Sequence, residues 1–156
     1  LTNPAGADRQ ILGVFSEPLV EPIARVLLAL GSVRALVVHG AGRLDEISLE
    51  GPTVAWAVTE GSVVRGDITP EALGLPRHAN ASLAVSSPQE SAARIRQVLD
   101  GVTGPAADIV RANAAGGFLV AGLVPDLKAG VALATEVLRS GAAARALETL
   151  IRISKG

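Results

Sequence analysis

The chain of 156 residues has a globular composition, since 49% of its residues are hydrophobic and 19% are charged. These proportions exclude an intrinsically disordered chain and fit one domain that buries roughly two-thirds of its unfolded surface. The net charge of −1, with basic residues dispersed along the chain, favours neither a nucleic-acid partner nor a membrane surface.

The first part of the chain predicts a strand, a helix and a second strand. After a polar loop over residues 1–10, the apolar run from Ile11 to Phe15 is typical of a buried strand. Ser16 is a candidate N-cap for a helix that ends near Leu30. The nearly continuous apolar run from Val33 to His39 predicts a strand covered on both faces. Such a unit is expected to be parallel, with a right-handed crossover.

A β-hairpin and a loop are predicted in the middle of the chain. Thr53 to Thr59 and Ser62 to Ile68 flank Glu60-Gly61, where glycine supplies the positive φ of a tight turn. Thr69 is predicted to cap one short helical turn. The stretch from Leu75 to Ser87 lacks periodicity, so we expect a surface loop there.

The remainder of the chain predicts packed helices, which begin near Ser87, Gly104, Leu127 and Ala142. The run of small residues from Ala112 to Gly117 predicts that the second of these helices packs closely in the middle of the domain. We therefore predict one α/β module followed by packed helices.

Asp45 and Glu46 are the candidate metal ligands. They follow the second strand and the loop Gly40-Ala41-Gly42, and ligands of open α/β sheets bind outside the carboxyl ends of strands. Mg²⁺ takes one or two protein carboxylates together with substrate phosphates and water. An adjacent Asp–Glu pair is also common on solvated loops, so the spacing alone leaves that alternative open. The loop itself lacks the dinucleotide and Walker patterns and is a weak phosphate site.

Four other polar residues have a structural and a functional interpretation. His39 is either a general base or, as we favour, a histidine bonded to nearby backbone. We interpret His78 as a solvated loop residue rather than a ligand, because no second His or Cys stands at metal-site spacing. Asn113 is either a substrate contact or, as we favour, a polar anchor inside an apolar helix. Asp108 lies near the start of that helix, where its negative charge interacts favourably with the helix dipole, so no functional role is needed to explain it.

Cysteine and methionine are both missing from the chain. The absence of cysteine excludes a disulfide scaffold, a thiolate zinc site and a cysteine nucleophile. With no signal peptide at the start and no apolar run long enough to span a bilayer, a cytoplasmic protein is the simplest interpretation. Methionine is also absent, so we expect Leu1 to be an internal residue or an alternative start.

Separate blocks of sequence combine into a longer pattern, in order from the first residue almost to the last. They are Leu1-Thr2-Asn3-Pro4-Ala5, Arg9 to Ser16, Ala35 to Ser48, Gly51-Pro52-Thr53, Ile68 to Glu71, Leu73-Gly74-Leu75, Gly104 to Asp108 and Asn113-Ala114-Ala115. Together, at these separations, they make a chain that resembles the anthranilate phosphoribosyltransferase family. Several blocks at consistent separations are far more specific than any one of them.

Enzymes of that family join anthranilate to phosphoribosyl pyrophosphate and release pyrophosphate in tryptophan biosynthesis, with Mg²⁺ neutralising the leaving group. The resemblance implies that Asp45 and Glu46 form the family's second Mg²⁺ site. It also implies that Asn3 and Pro4 lie near the substrate, and it assigns no catalytic proton transfer to His39.

The resemblance further implies that residues 1–156 are the carboxyl-terminal part of a mixed, mostly parallel sheet domain, flanked by helices and ending in a helical segment. The family's glycine-rich phosphate loop, its Lys-His-Gly-Asn segment and the arginine that meets anthranilate would all lie upstream. So would the helical domain through which such enzymes form homodimers. We therefore expect these residues alone to form a single incomplete domain without transferase activity.

A non-enzymatic binding or interaction module is the alternative, including a degenerate or nucleic-acid-binding paralogue of the family. The retained pair Asp45-Glu46 argues against a decayed site, and the net charge of −1 argues against nucleic acid. Ser86-Ser87-Pro88 departs from the Gly-Gly-acid turn of many relatives, which leaves the role of that loop open.

Overall fold

A mixed sheet with helices on both faces accounts for most of the structure, a computed structural model that describes residues 6–59 and 61–155. The described strands lie side by side in chain order, namely β1 (Arg9–Gly13), β2 (Arg34–Gly40), β3 (Thr53–Thr59) and β4 (Ser62–Ile68). The described helices are α1 (Val20–Ala29), α2 (Pro70–Leu73), α3 (Pro88–Leu99), α4 (Pro105–Ala121), α5 (Leu127–Arg139) and α6 (Ala142–Ser154). The predicted α/β fold with a helical end is confirmed.

The strand pairing corrects one detail of the prediction. β1 and β2 are parallel, but β2 pairs with β3 and β3 with β4 in the antiparallel sense. Within the described residues the sheet is therefore mixed but not mostly parallel. β3 and β4 are joined by a two-residue turn and are therefore necessarily antiparallel. The first strand of this hairpin, β3, also pairs with β2 in the antiparallel direction. Glu60, in the hairpin turn, lies outside the described residues, and Gly61 has the expected positive φ of 77°.

The core has two layers because side chains alternate along β2. Ala35 and Val37 face α1, where they pack with Val20, Ala24 and Leu27. On the opposite face, a second cluster joins the sheet to α4 and to the loop after β2; it contains Leu36, Val38, Ile47, Ala112 and Ala115. The prediction that this strand is covered on both faces is confirmed.

α4 packs closely in the middle of the domain, as its small residues predict. A Cβ added at Gly116 would lie 2.7 Å from Ile11 Cδ1, and one at Gly130 of α5 would lie 2.8 Å from the Cα of Ala115. Such close approaches leave no room for larger side chains. Among the described helices, none combines the length and apolar character that crossing a membrane requires.

The predicted cap at Thr69 and the predicted helix start at Ser87 are both confirmed. Thr69 Oγ1 accepts a hydrogen bond from the Ala72 amide (3.2 Å), and Ser87 Oγ accepts one from the Glu90 amide (3.1 Å). Ser16 makes no side-chain cap and precedes a short 3₁₀ turn over Glu17–Leu19. The predicted loop before α3 contains another 3₁₀ turn over Asn80–Leu83.

Candidate metal centre

A tight turn at the end of β2 leads into the acidic pair. The Gly40 amide donates to the Leu44 carbonyl (2.7 Å), and the Leu44 amide donates back to the Gly40 carbonyl (3.2 Å). Gly42 and Arg43 both have positive φ, at 75° and 64°. Arg43 is the only non-glycine residue with positive φ in the described ranges. Positive φ at a side-chain-bearing residue stores strain, which collects at functional loops.

Asp45 lies against the end of β1 as well as beyond the end of β2. A Cβ added at Gly13, the last residue of β1, would lie 1.5 Å from the Asp45 carbonyl oxygen. The backbone of Asp45 therefore occupies the space that any other side chain at position 13 would need. The structure thus places Asp45 and Glu46, both exposed, at the carboxyl ends of neighbouring parallel strands.

The two carboxylates oppose each other electrostatically. Partial burial raises the pKa of the Glu46 carboxyl above its ordinary value, and the adjacent Asp45 carboxylate raises that pKa further. A bound cation would relieve this repulsion and favour both charged forms.

The donor set fits Mg²⁺ held jointly with a phosphate ligand. No group of three or more His, Cys, Asp or Glu side chains able to hold a metal occurs within residues 6–59 and 61–155, so a dedicated protein cage is not present there. Mg²⁺ commonly takes one or two carboxylates and completes its octahedron with water and substrate phosphates. Asp45 and Glu46 could supply that pair of carboxylates.

The residue that follows the pair is bonded to α4. Asn113 Oδ1 accepts from the Ile47 amide (2.8 Å), and Asn113 Nδ2 donates to the Ile47 carbonyl (3.1 Å). These bonds agree with the interpretation of Asn113 as a polar anchor and satisfy its amide group without a substrate.

Two further polar side chains, which the sequence did not indicate, bond to the backbone of the loop between β2 and β3. Asn80 Nδ2 donates to the Ala41 carbonyl (2.9 Å), and Thr53 Oγ1 accepts from the amide of the buried Ser48 (2.9 Å). Asn80 stands in a stretch without periodicity, so no local pattern connects it with a turn 39 residues earlier.

The structure gives His39 a backbone partner, as the favoured interpretation has it. Its Nδ1 lies 2.8 Å from the Val14 carbonyl oxygen. Since a carbonyl oxygen only accepts, Nδ1 carries the proton in this contact. The bond joins the end of β2 to the residue that follows β1, so His39 supports the strand ends beside the acidic pair.

The expectation that His78 is solvated is wrong. Its side chain is 20% exposed, and its Nε2 lies 2.7 Å from Asp108 Oδ2. The Asp108 carboxylate is almost fully buried and also accepts from Arg111, so it has two side-chain partners in addition to its place in the first turn of α4. The His78 amide also donates to the Leu49 carbonyl (2.9 Å), which holds this segment against the loop between β2 and β3. Asn3 and Pro4, the predicted substrate contacts, lie outside the described residues.

An open cavity of about 400 Å³ adjoins the acidic pair. Glu46 and Arg94 line it among mostly apolar side chains from α3, α4 and the preceding loop, including Leu83, Val85, Ile95 and Ile109. Contact with this apolar wall agrees with the partial burial that raises the pKa of Glu46.

Comparisons with known proteins agree on one family. The model of the "Glycosyl transferase family, a/b domain" matches residues 1–144. The anthranilate phosphoribosyltransferase of Hyphomonas neptunium is 48% identical over 155 residues, which are 99% of this chain and 46% of that protein. The crystal structure of the Thermus thermophilus enzyme of that name superposes with a TM-score of 0.90 at 45% identity, covering 99% of this chain and 46% of the other.

A more distant structure contains ligands. The anthranilate phosphoribosyltransferase of Saccharomyces cerevisiae, in complex with PRPP and Mg, is 29% identical, with a TM-score of 0.80 over 90% of this chain and 41% of that one. The chain thus spans about half the length of the curated relatives that it matches.

Proposed function

We propose that this chain, which belongs to the glycosyl transferase family with the a/b domain, forms the carboxyl-terminal part of an anthranilate phosphoribosyltransferase of tryptophan biosynthesis. In that reaction the anthranilate amine forms a bond to the anomeric carbon of phosphoribosyl pyrophosphate. The bond to pyrophosphate breaks with its electron pair, and the amine loses a proton. The observation that carries the proposal is the match of 99% of the chain, at 48% identity, to a relative of that name.

The part of the reaction that we assign to this chain is to hold the diphosphate end of the donor substrate. Asp45 and Glu46 would bind Mg²⁺ at the carboxyl ends of β1 and β2, together with oxygens of the diphosphate. The ion, when bound, would neutralise charge on the departing pyrophosphate. The exposed position of both carboxylates, and their mutual repulsion, support this assignment. Charge stabilisation of this kind acts on the leaving group and needs no strong base.

The amino-terminal residues and the assembly remain proposals from the resemblance. Asn3 and Pro4 would lie near anthranilate, and the complete protein would be a cytoplasmic homodimer joined through its amino-terminal domain. Native mass spectrometry of the complete protein tests the assembly, and a monomer at micromolar concentration would contradict it.

The function is tested by following the loss of anthranilate fluorescence with phosphoribosyl pyrophosphate and Mg²⁺. The 156-residue chain is compared with a fusion in which it follows the amino-terminal portion of the Thermus thermophilus relative, which it matches structurally. We expect turnover from the fusion and none from the chain alone, because about half of the relatives' length is outside this chain.

Charge-neutral substitutions of the acidic pair complete the test. The double variant Asp45→Asn, Glu46→Gln in the fusion should require much more Mg²⁺ for the same rate. Asp67→Asn, which removes an exposed carboxylate on β4, is the matched control and should leave the Mg²⁺ requirement unchanged. A folded fusion that never turns over would refute the enzymatic proposal and favour a binding module.

A further inference from the structure

Ile47, directly after the acidic pair, has both of its backbone polar groups bonded to one side chain. Asn113 accepts from its amide at 2.8 Å and donates to its carbonyl at 3.1 Å. Ile47 is fully buried, so water does not replace either bond. The Asn113 side-chain amide thus accepts one hydrogen bond from Ile47 and donates one back, as a backbone peptide group of a neighbouring strand does.

Asn113 itself is oriented by a third hydrogen bond. Its Nδ2 also donates to the Ile109 carbonyl, one turn earlier in α4, at 3.1 Å. Turning the amide over would set its oxygen against the carbonyls of Ile47 and Ile109 and leave the Ile47 amide without an acceptor. The side chain therefore has one orientation that satisfies all of its partners, and asparagine, which is a poor residue for a helix interior, is used here for its amide.

α4 also contacts the side chain of the same loop residue. A Cβ added at Gly116, one turn after Asn113, would lie 3.1 Å from Ile47 Cδ1. Backbone and side chain of Ile47 are thus both held by α4. On the side of the acidic residues away from Ile47, the backbone of Asp45 contacts Gly13 of β1. Glu46 lies between these two fixed points.

We propose that Asn113 is a positioning residue for the metal centre. By holding Ile47 to α4, it sets the direction in which the Asp45 and Glu46 side chains leave the loop, and so the affinity of the site for a divalent cation. This inference rests on the proposed function, because it assumes that the acidic pair binds the cation. Supporting groups of this type commonly change metal affinity by about 10- to 100-fold.

The test uses Mn²⁺ together with inorganic pyrophosphate, which supplies the phosphate oxygens, added to the 156-residue chain and followed by the paramagnetic broadening of backbone amide signals. In the wild-type chain we expect broadening centred on Asp45, Glu46 and Ile47. Asn113→Leu, which keeps the side-chain size and removes every polar atom, should move the midpoint of that broadening to a Mn²⁺ concentration at least about 10-fold higher. The Ile47 amide should also exchange with deuterium faster.

A second variant separates positioning from loss of stability. Val58→Ala removes methyl groups from the core between the sheet and α1, away from α4 and the acidic loop. It should lower the free energy of unfolding without moving the Mn²⁺ midpoint. An Asn113→Leu chain that binds Mn²⁺ as tightly as the wild-type chain would overturn the inference. A wild-type chain without localised broadening would instead refute the metal site of the proposed function, and this inference with it.

Discussion

Replacing Gly13 by alanine should move the acidic loop, weaken cation binding and destabilise the fold. The added Cβ would lie 1.5 Å from the Asp45 carbonyl oxygen, whereas real Cβ atoms essentially never approach other atoms within 3.0 Å. The oxygen must therefore retreat by at least 1.5 Å, the difference between these two distances. Mg²⁺ requires near-ideal octahedral geometry with ligands at about 2.0–2.1 Å. A shift of that size is large enough for an affinity loss of about 10- to 100-fold.

The cost in stability should be substantial, because the atoms in the way belong to the Asp45 backbone and not to the far end of a flexible side chain. Overpacking by one methyl group costs about 1–3 kcal/mol, and we expect at least the upper end of that range. Urea denaturation measures this cost, and the Mn²⁺ midpoint measured by amide broadening reports the affinity.

Gly66→Ala is the matched control for Gly13→Ala. Gly66 is also a strand glycine without positive φ, and a Cβ added there meets no atom within 4 Å. It should leave the Mn²⁺ midpoint unchanged. If folded Gly13→Ala bound Mn²⁺ as tightly as the wild-type chain, the reasoning that the Gly13 contact sets the position of Asp45 would be refuted.

Further predictions concern charge and packing. Because the folded state raises the pKa of Glu46, its ionisation destabilises the fold as pH rises from 4.5 through that raised pKa. Glu46→Gln should therefore be more stable than the wild-type chain at pH 7, and the difference should shrink at pH 4, as urea denaturation would show. Asp108→Asn, which leaves the Arg111 guanidinium without its buried carboxylate, should cost about 3 kcal/mol in the same assay, and a loss below about 1 kcal/mol would contradict this. Gly130→Ala would place its Cβ 2.8 Å from Ala115 Cα and should destabilise the chain by about 1–3 kcal/mol. Gly117→Ala, a helical position with no atom within 4 Å, should instead stabilise it by up to about 1 kcal/mol, and equal effects of these two variants would refute the packing argument.

The position of the acidic pair was predictable because its signals are local. An apolar run, a glycine turn and two adjacent carboxylates follow each other within one stretch, and the rule that ligands bind at the carboxyl ends of strands needs no further contacts. The structure confirms that Asp45 stands at the end of β2 and adds that it also rests on the end of β1. That second strand end depends on the parallel pairing of β1 and β2.

The side-chain contacts that hold the acidic loop in place were only partly predictable from the sequence. An asparagine inside an apolar helix needs hydrogen-bond partners wherever water cannot reach it, so an anchoring role for Asn113 could be predicted from the sequence. Its partner Ile47 is 66 positions away along the chain, and no pattern in either segment refers to the other. The contact of His78 with Asp108 was unpredictable for the same reason, since Asp108 comes close only when the loop before α3 folds back on α4.

Composition, apolar runs, caps and the motif blocks determined the fold class, the positions of the helices and strands, and the identity of the candidate ligands. These features depend on interactions within a few residues of each other, which a linear sequence displays directly. Only the tertiary structure decided the antiparallel attachment of β3, the contact of Gly13 with Asp45 and the bonds of Asn113 to Ile47. Each of these joins segments distant along the chain, and such contacts are selected by the packing of the whole core rather than by local preference.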